Sequence, residues 1–118
     1  MTPASAVIAA VVGSSVNLTC SSFSDMEVQW RYRKTATDIL DDIHEGNELD
    51  NRFQQRFTVV CLSTFSACSL IINNVSVQDA GMYVCRSVMD GSQHAAVQLS
   101  VFGISCSDCL RYSSVLSM

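Results

Sequence analysis

The sequence predicts an all-β protein whose strands form a two-sheet sandwich. Short runs of alternating apolar and polar residues recur along the chain, separated by turn residues about every 8–12 positions. The chain has 118 residues, which is the length of one domain. Hydrophobic residues make up 48% of it and charged residues only 15%, a composition that excludes a disordered or acidic solvating segment.

The strands are assigned in order from their own alternation. They are predicted at residues 7–12, 15–22, 27–34, 38–45, 56–62, 68–75, 81–88 and 95–101, the first of them at a sheet edge. In the third strand, period 2 places Trp30 on one face and Gln29, Arg31 and Arg33 on the other. The last two strands are joined by a loop over residues 89–94, where Asp90 and Gly91 form a favoured turn dipeptide.

Charge and motif content exclude several classes of function. The net charge is −4 and no basic patch is present, so a nucleic-acid partner is not expected. The longest apolar run, residues 7–12, is too short to cross a membrane, so any membrane anchor is expected outside this chain. The sequence contains no nucleophile elbow, phosphate loop or metal-ligand cluster. We therefore expect that the protein is not an enzyme and that it binds no cofactor. His44 and His94 are expected at the solvated surface.

Cysteines and sequons indicate an oxidising, secretory origin. Six cysteines in 118 residues is a usage typical of extracellular domains. Two N-x-[ST] sequons, at Asn17 and Asn74, point the same way.

Three residues and one motif carry a resemblance to a known family. Trp30 follows Cys20 by ten positions, and Cys85 closes the run Asp-Ala-Gly-Met-Tyr-Val-Cys. This pattern resembles the immunoglobulin fold, and the long gap after Trp30 resembles its V-set type, with Greek-key topology. The resemblance implies a Cys20–Cys85 bridge between the sheets with Trp30 packed against it. It also implies a tyrosine corner at Tyr83 and an Arg56–Asp79 ion pair, and it covers residues 7–102.

The resemblance also implies a function. Residues 94–101 lack the Phe-Gly-x-Gly opening of strand G in antigen receptors, so the chain is more similar to leukocyte and adhesion receptors. The novel immune-type receptors of bony fish and the T-cell co-receptor chains are both candidates. We expect a cell-surface receptor ectodomain, with a secreted protein as the lesser option. Its partner would be a protein on another cell or a co-receptor; the alternatives are a homophilic adhesion domain, pairing as a homodimer, or an auxiliary subunit of a membrane complex.

V-set receptors commonly bind through the sheet of strands G, F, C and C′ and through the loop between F and G. In this sequence, strands C, F and G are predicted at residues 27–34, 81–88 and 95–101. The residues predicted for that face are Gln29, Arg31, Arg33, Arg86, Met89, Asp90, Gln93 and His94. Glycans at Asn17 and Asn74 would cover the opposite sheet, formed by strands A, B, E and D, which are residues 7–12, 15–22, 68–75 and 56–62. Six acids lie between Asp38 and Asp50, where C′ and C″ are expected, and are interpreted either as a solvated edge or as a steering field for a basic partner.

The remaining four cysteines fall into two pairs. Parity places Cys61 and Cys68 on the same inward face across a hairpin, which favours a second bridge; two buried free thiols, or different partners, are the alternatives. Cys106 and Cys109 follow the domain predicted for residues 1–103. They are interpreted as part of a membrane-proximal stalk over residues 104–118, bridged to each other or to a second chain. The alternatives are redox or metal chemistry and a tail without a role.

Overall fold

The computed structural model describes residues 5–21, 26–35, 37–46, 48–53 and 55–103. Within them the chain forms ten strands and two short 3-10 helices, at Asn51–Phe53 and Val77–Asp79. The strands are β1 (Ser5–Val11), β2 (Val16–Ser21), β3 (Val28–Arg33), β4 (Asp41–Asp42), β5 (His44–Glu45), β6 (Glu48–Leu49), β7 (Phe57–Cys61), β8 (Ala67–Ile72), β9 (Gly81–Ser87) and β10 (Gln93–Phe102). The stalk predicted over 104–118, with Cys106 and Cys109, lies outside the described residues.

The strands form the predicted two-sheet sandwich, so the predicted fold class is confirmed. One sheet has the order β1-β10-β9-β3-β4, and the other has the order β2-β8-β7. Strands β5 and β6 form a separate two-stranded hairpin. The expectation that the first strand joins β2 is wrong: β1 pairs in parallel with β10, from Ser5 opposite Ala96 to Val11 opposite Phe102. The sheet that carries the sequon at Asn17, and that ends just before the sequon at Asn74, therefore has three strands and not four.

One predicted strand, over residues 38–45, is broken into two short pieces. Strand β4 pairs with β3 at only two positions, Arg31 with Asp42 and Tyr32 with Asp41. After Ile43 the chain leaves the sheet and forms the β5–β6 hairpin. This edge carries many charged residues and few β-branched ones, which is a weak signal for a continuous strand.

Trp30 lies at the centre of the sandwich, beside the bridge that joins the two sheets. Its side chain is completely buried. Cys20 on β2 is bonded to Cys85 on β9, and Cys85 is the register partner of Trp30. The indole nitrogen donates a hydrogen bond of 3.2 Å to the carbonyl of Cys68 on the opposite sheet. Trp30 is thereby fixed to both sheets without leaving its N–H group unsatisfied.

A second bridge lies beside the first. Cys61 on β7 and Cys68 on β8 are directly opposite each other and are bonded, with an S–S distance of 2.07 Å. Cys68 is also the register partner of Cys20 on β2, so three cysteines lie side by side across one sheet. This adjacency explains why spacing alone left other pairings open.

The end of the sandwich near the β8–β9 connection is closed by the two features that the resemblance implies. The Tyr83 hydroxyl donates to the carbonyl of Asp79 at 2.6 Å, and burial raises the pKa of this phenol. Arg56 donates from both terminal nitrogens to the Asp79 carboxylate, and the Nη2–Oδ1 distance is 2.8 Å. This carboxylate also accepts the backbone N–H of Ser76, which caps the second 3-10 helix. The hydrogen bond to Asp79 raises the pKa of Arg56, so the guanidinium stays charged.

Gly81 at the start of β9 has a backbone that requires glycine. Its φ is 147°, and a Cβ atom at this position would lie 2.6 Å from the carbonyl oxygen of Arg33. The glycine therefore permits the close approach of β9 to β3.

Replacing Trp30 with alanine should remove most of the stability of the domain. Loss of a fully buried indole costs about 3–5 kcal/mol, a large fraction of the stability of a domain this size. Urea unfolding should show this loss, whereas Met89→Ala, at a position 82% exposed, should leave the midpoint nearly unchanged. A Trp30→Ala protein that melts within a few degrees of the wild type would contradict this view of the core.

Peptide mapping without reduction should return Cys61 and Cys68 as one linked pair. The two residues are directly opposed across the β7–β8 hairpin, so no backbone movement is needed to join them. Recovery of either residue as an alkylated thiol, or linked to Cys106 or Cys109, would contradict the pairing.

Candidate binding face

The outer face of the five-stranded sheet is the candidate binding face. It consists of the side chains that alternate with the core residues of β3, β9 and β10. Because Trp30 and Cys85 point into the core, their neighbours Gln29, Arg31 and Arg86 point outward. Gln29 lies opposite Arg86, and Arg31 lies opposite Val84. The arginines predicted for this face are thus on one surface, but their surroundings differ.

Gln29 points outward as predicted but is only 8% exposed, so its assignment as a surface contact is wrong. Its Nε2 donates to the carbonyl of His44 at 2.7 Å. The β5–β6 hairpin supplies this acceptor and contributes to a small cavity that Gln29 lines. Gln29 therefore positions the hairpin.

His44 is also buried, at 2% exposure, although the sequence analysis expected it at the solvated surface. Its Nε2 lies 3.0 Å from the backbone nitrogen of Trp30, and its Nδ1 lies 2.9 Å from the carbonyl oxygen of Gly46. No local pattern reveals this burial, because it arises from the hairpin folding back against β3.

Arg31 is held within its own domain. Its Nε donates to Asp42 at 2.8 Å and its Nη2 donates to the Leu40 carbonyl at 2.9 Å, and its side chain is 21% exposed. Through these contacts the Arg31 guanidinium holds β4 against β3. Arg31 is therefore a structural residue first, and it is a weaker candidate for a direct contact than the sequence predicts.

Arg33 and Arg86 differ from Arg31, since neither side chain forms an ion pair or a hydrogen bond within the described part of the chain. Both residues are half-buried, and the Nε atom of each is buried without a hydrogen-bond partner there. The Nη1 of Arg86 lies 3.6 Å from the position that a Cβ on Gly91 would occupy, so this guanidinium lies next to the β9–β10 turn. Among the residues that the structure describes, the outer face thus carries two arginine side chains without a partner for their charge.

The β9–β10 turn, residues 88–92, is ordered by its own hydrogen bonds. Asp90 accepts from the backbone N–H and the hydroxyl of Ser92, at 2.9 and 2.8 Å, and the backbone bond is the main cause of its lowered pKa. The backbone N–H of Ser87 donates to the Ser92 carbonyl, and that of Gly91 donates to the Ser87 carbonyl. Met89 projects from this turn with 82% of its surface exposed. The turn therefore presents an apolar side chain from a rigid base.

Two residues predicted in this loop belong to a strand instead. Gln93 and His94 form the start of β10, where the register shifts between Gln93 and Ala95. His94 is half-buried and not solvated as expected, and its Nε2 lies 2.6 Å from the hydroxyl of the fully buried Ser87. No glycine lies at this register shift, so the sequence gives little warning of it.

About half of the acidic cluster is paired with arginine. Arg52 lies 3.0 Å from Asp41 and 3.9 Å from Asp50, and Asp42 pairs with Arg31. Glu45 and Glu48 are exposed and lie directly opposite each other across the β5–β6 hairpin. Like charges in this position repel, so the hairpin carries an electrostatic cost at its tip.

The opposite sheet carries the two sequons. Asn17 is exposed on β2, and Asn74 is exposed after β8 with a φ of 51°. The outer face of β3, β9 and β10 has neither.

No catalytic or metal-binding arrangement is found in the described part of the chain. Its His, Cys, Asp and Glu residues form no group of three or more that could hold a metal ion. Among the same residues, none of the helices has the length and apolar character needed to cross a membrane.

Comparison with known proteins supports the fold seen here. The family model for the immunoglobulin V-set domain matches residues 3–102. The crystal structure of the first Ig domain of the mouse polymeric immunoglobulin receptor superposes with a TM-score of 0.66 at 20% sequence identity. The match covers 84% of this chain and 91% of that one. At this identity, the likeness to the solved structure concerns the fold.

Proposed function

The chain belongs to the immunoglobulin V-set family, and on this premise we propose that it is the ligand-binding ectodomain of a cell-surface immune-type receptor. The two unmatched arginines on the outer face, Arg33 and Arg86, carry the proposal. Domains of this family are typically extracellular binding domains, without catalytic activity. The proposed ligand is a protein that contacts the outer face and the β9–β10 turn.

The buried Nε atoms of Arg33 and Arg86, which have no hydrogen-bond partner among the described residues, support an acidic group on the partner. A buried guanidinium nitrogen without an acceptor loses its hydration and gains no hydrogen bond in return. Such a cost is expected at functional sites, where a partner supplies what the free domain lacks. A carboxylate on the partner fits best, because the planar guanidinium binds it through two hydrogen bonds.

Met89 supports an apolar contact beside the cationic one. A methionine exposed on a rigid turn adapts to the shape of a partner while the turn loses little entropy on binding. Arginine and methionine are both enriched at protein interfaces. Arg86 and Met89 therefore form the centre of the proposed contact.

The sequons agree with this choice of face. Glycans at Asn17 and Asn74 would shield the three-stranded sheet and leave the outer face of the other sheet accessible. The fold neighbour also comes from a receptor, which is a precedent for this use of the fold.

Alanine at Arg86 or Met89 should weaken partner binding by about 1–2 kcal/mol each without changing the melting temperature by more than a few degrees. Labelled tetramers of the domain, used to stain a panel of intact cells by flow cytometry, provide the measurement. Arg86→Lys should lose part of the staining because it keeps the charge but not the planar fork. Arg31→Ala should reduce both staining and stability, since Arg31 holds β4.

Matched controls are Thr58→Ala and Asn73→Ala, which are exposed on or beside the three-stranded sheet. They should stain as the wild type does. If they abolish staining while Arg86→Ala and Met89→Ala retain it, the assignment of the binding face is wrong.

A homophilic adhesion domain is the second candidate, and strand β1 favours it. The outer edge of β1 is unpaired in the described sheet, and its seven residues include no charge and no proline. Edge strands with these properties tend to pair with a second copy of the chain. Sedimentation velocity across a concentration series should show a monomer for the receptor and self-association for the adhesion domain. A charge introduced at β1 by Val7→Lys should abolish any self-association.

A further inference from the structure

The hydrogen bonds of His44 define one protonation state of its ring. The Trp30 backbone N–H can only donate, so Nε2 of His44 must accept and carry no proton. The Gly46 carbonyl can only accept, so Nδ1 must carry the proton. The neutral Nδ1–H tautomer satisfies both partners at once, and the cationic ring does not.

His44 takes this position because the backbone leaves a gap there. In a regular antiparallel pair, Trp30 and Ile43 would exchange two hydrogen bonds. The Ile43 N–H does donate to the Trp30 carbonyl at 3.1 Å, but the Ile43 carbonyl accepts from the backbone N–H of Asp50 at 2.8 Å. The imidazole of the next residue therefore replaces the missing carbonyl. This substitution allows the chain to leave the sheet and form the β5–β6 hairpin.

We propose that His44 is a pH-sensitive clamp that holds the β5–β6 hairpin against β3 when neutral and releases it in mildly acidic surroundings. A proton on Nε2 would face the Trp30 N–H, and two donors cannot bond to each other. The buried N–H of Trp30 would then have no acceptor, which is a costly state for a backbone group. Opening of the hairpin would restore water to both groups.

Most of the charged groups around His44 are acidic. Glu27 precedes β3 and Asp42 lies on β4, and both favour the protonated ring. The cavity beside His44 is also lined by Glu45 on its own strand, Glu48 on β6 and Asp50 after β6. Arg31 neutralises Asp42, and Arg52 lies 3.9 Å from Asp50. Carboxylates are therefore at hand to stabilise the imidazolium once the hairpin opens.

Burial outweighs these charges in the closed domain and lowers the pKa of His44 from its ordinary value of 6.5. The unfolded or opened chain accepts a proton near 6.5, whereas the closed domain resists it. The stabilisation is therefore complete above this pH and is lost as the pH falls below 6.5 toward the pKa of the closed state.

The clamp bears on the binding face as well, and this consequence rests on the proposed function. The His44 carbonyl holds Gln29, and Asp42 two residues earlier holds Arg31. Release of the hairpin would disorder the β3–β4 side of the outer face. Binding of a partner there should then weaken in acid.

Hydrogen exchange of the Trp30 amide tests the clamp without any ligand. In the full chain, its protection relative to that of Leu70 on β8 should fall by about tenfold for each pH unit below 6.5, after correction for intrinsic exchange. His44→Gln should remove this pH dependence, because the Oε1 atom of the glutamine offers the Trp30 N–H an acceptor that does not titrate in this range. His94→Gln is the matched control, since the chain has only two histidines, and it should retain the dependence.

Thermal unfolding supplies a second measurement. Between about pH 7.5 and about pH 5.5, the wild type and His94→Gln should lose about 4–8 °C more in melting temperature than His44→Gln does. If His44→Gln does not fold, nitrogen NMR of the wild-type ring at about pH 7.5 still decides the matter, because the proposal requires Nδ1 protonated and Nε2 bare.

Three results would overturn the clamp: the same pH dependence in His44→Gln and the wild type, a cationic His44 ring in the folded domain at neutral pH, or constant Trp30 protection across the titration. Failure of tetramer staining at every pH would count against the proposed function and leave these ligand-free measurements unaffected.

Discussion

The polar atoms of Trp30 join three separate parts of the molecule. Its indole N–H reaches across the sandwich to Cys68, its backbone N–H is held by His44, and its carbonyl accepts from Ile43. A buried indole contributes a large apolar surface, but each of these polar groups also requires a partner once it is out of water. The two sheets and the β5–β6 hairpin are therefore placed relative to one side chain and its backbone.

Around this centre, covalent and ionic contacts hold different regions. The Cys20–Cys85 bridge connects the three-stranded sheet to β9 of the other sheet. The neighbouring Cys61–Cys68 bridge connects β7 to β8 within the three-stranded sheet. The opposite end depends on Asp79, whose carboxylate serves Arg56 and the Ser76 backbone while its carbonyl serves Tyr83. These contacts restrict the core. Among the described residues, the outer face of the larger sheet carries two arginine side chains, Arg33 and Arg86, that have no hydrogen-bonded partner.

Both histidines lie where that outer face meets a turn. His44 fixes the hairpin after β4, and His94 lies against Ser87 at the base of the β9–β10 turn. In the proposed clamp, the pH sensitivity concerns the β3–β4 side of the contact surface, because His44 supports that side. Stability and binding both depend on the His44 contacts, so a substitution at His44 is expected to affect the two together.

The sequence alone determined which residues face the core. Period 2 fixed the inward positions of Trp30, Cys85, Cys61 and Cys68, because adjacent side chains of a strand must point to opposite faces. The tyrosine corner at Tyr83 was implied by the resemblance to the immunoglobulin fold, which the motif ending at Cys85 carries. Tertiary structure alone decided which outward residues stay exposed. Gln29 and His44 are buried because the β5–β6 hairpin folds back over β3. Arg31 is less available to a partner because β4 brings Asp42 beside it, and the two form an ion pair. The sheet that β1 joins was likewise decided by long-range pairing with β10, since alternation within a strand carries no information about its neighbour.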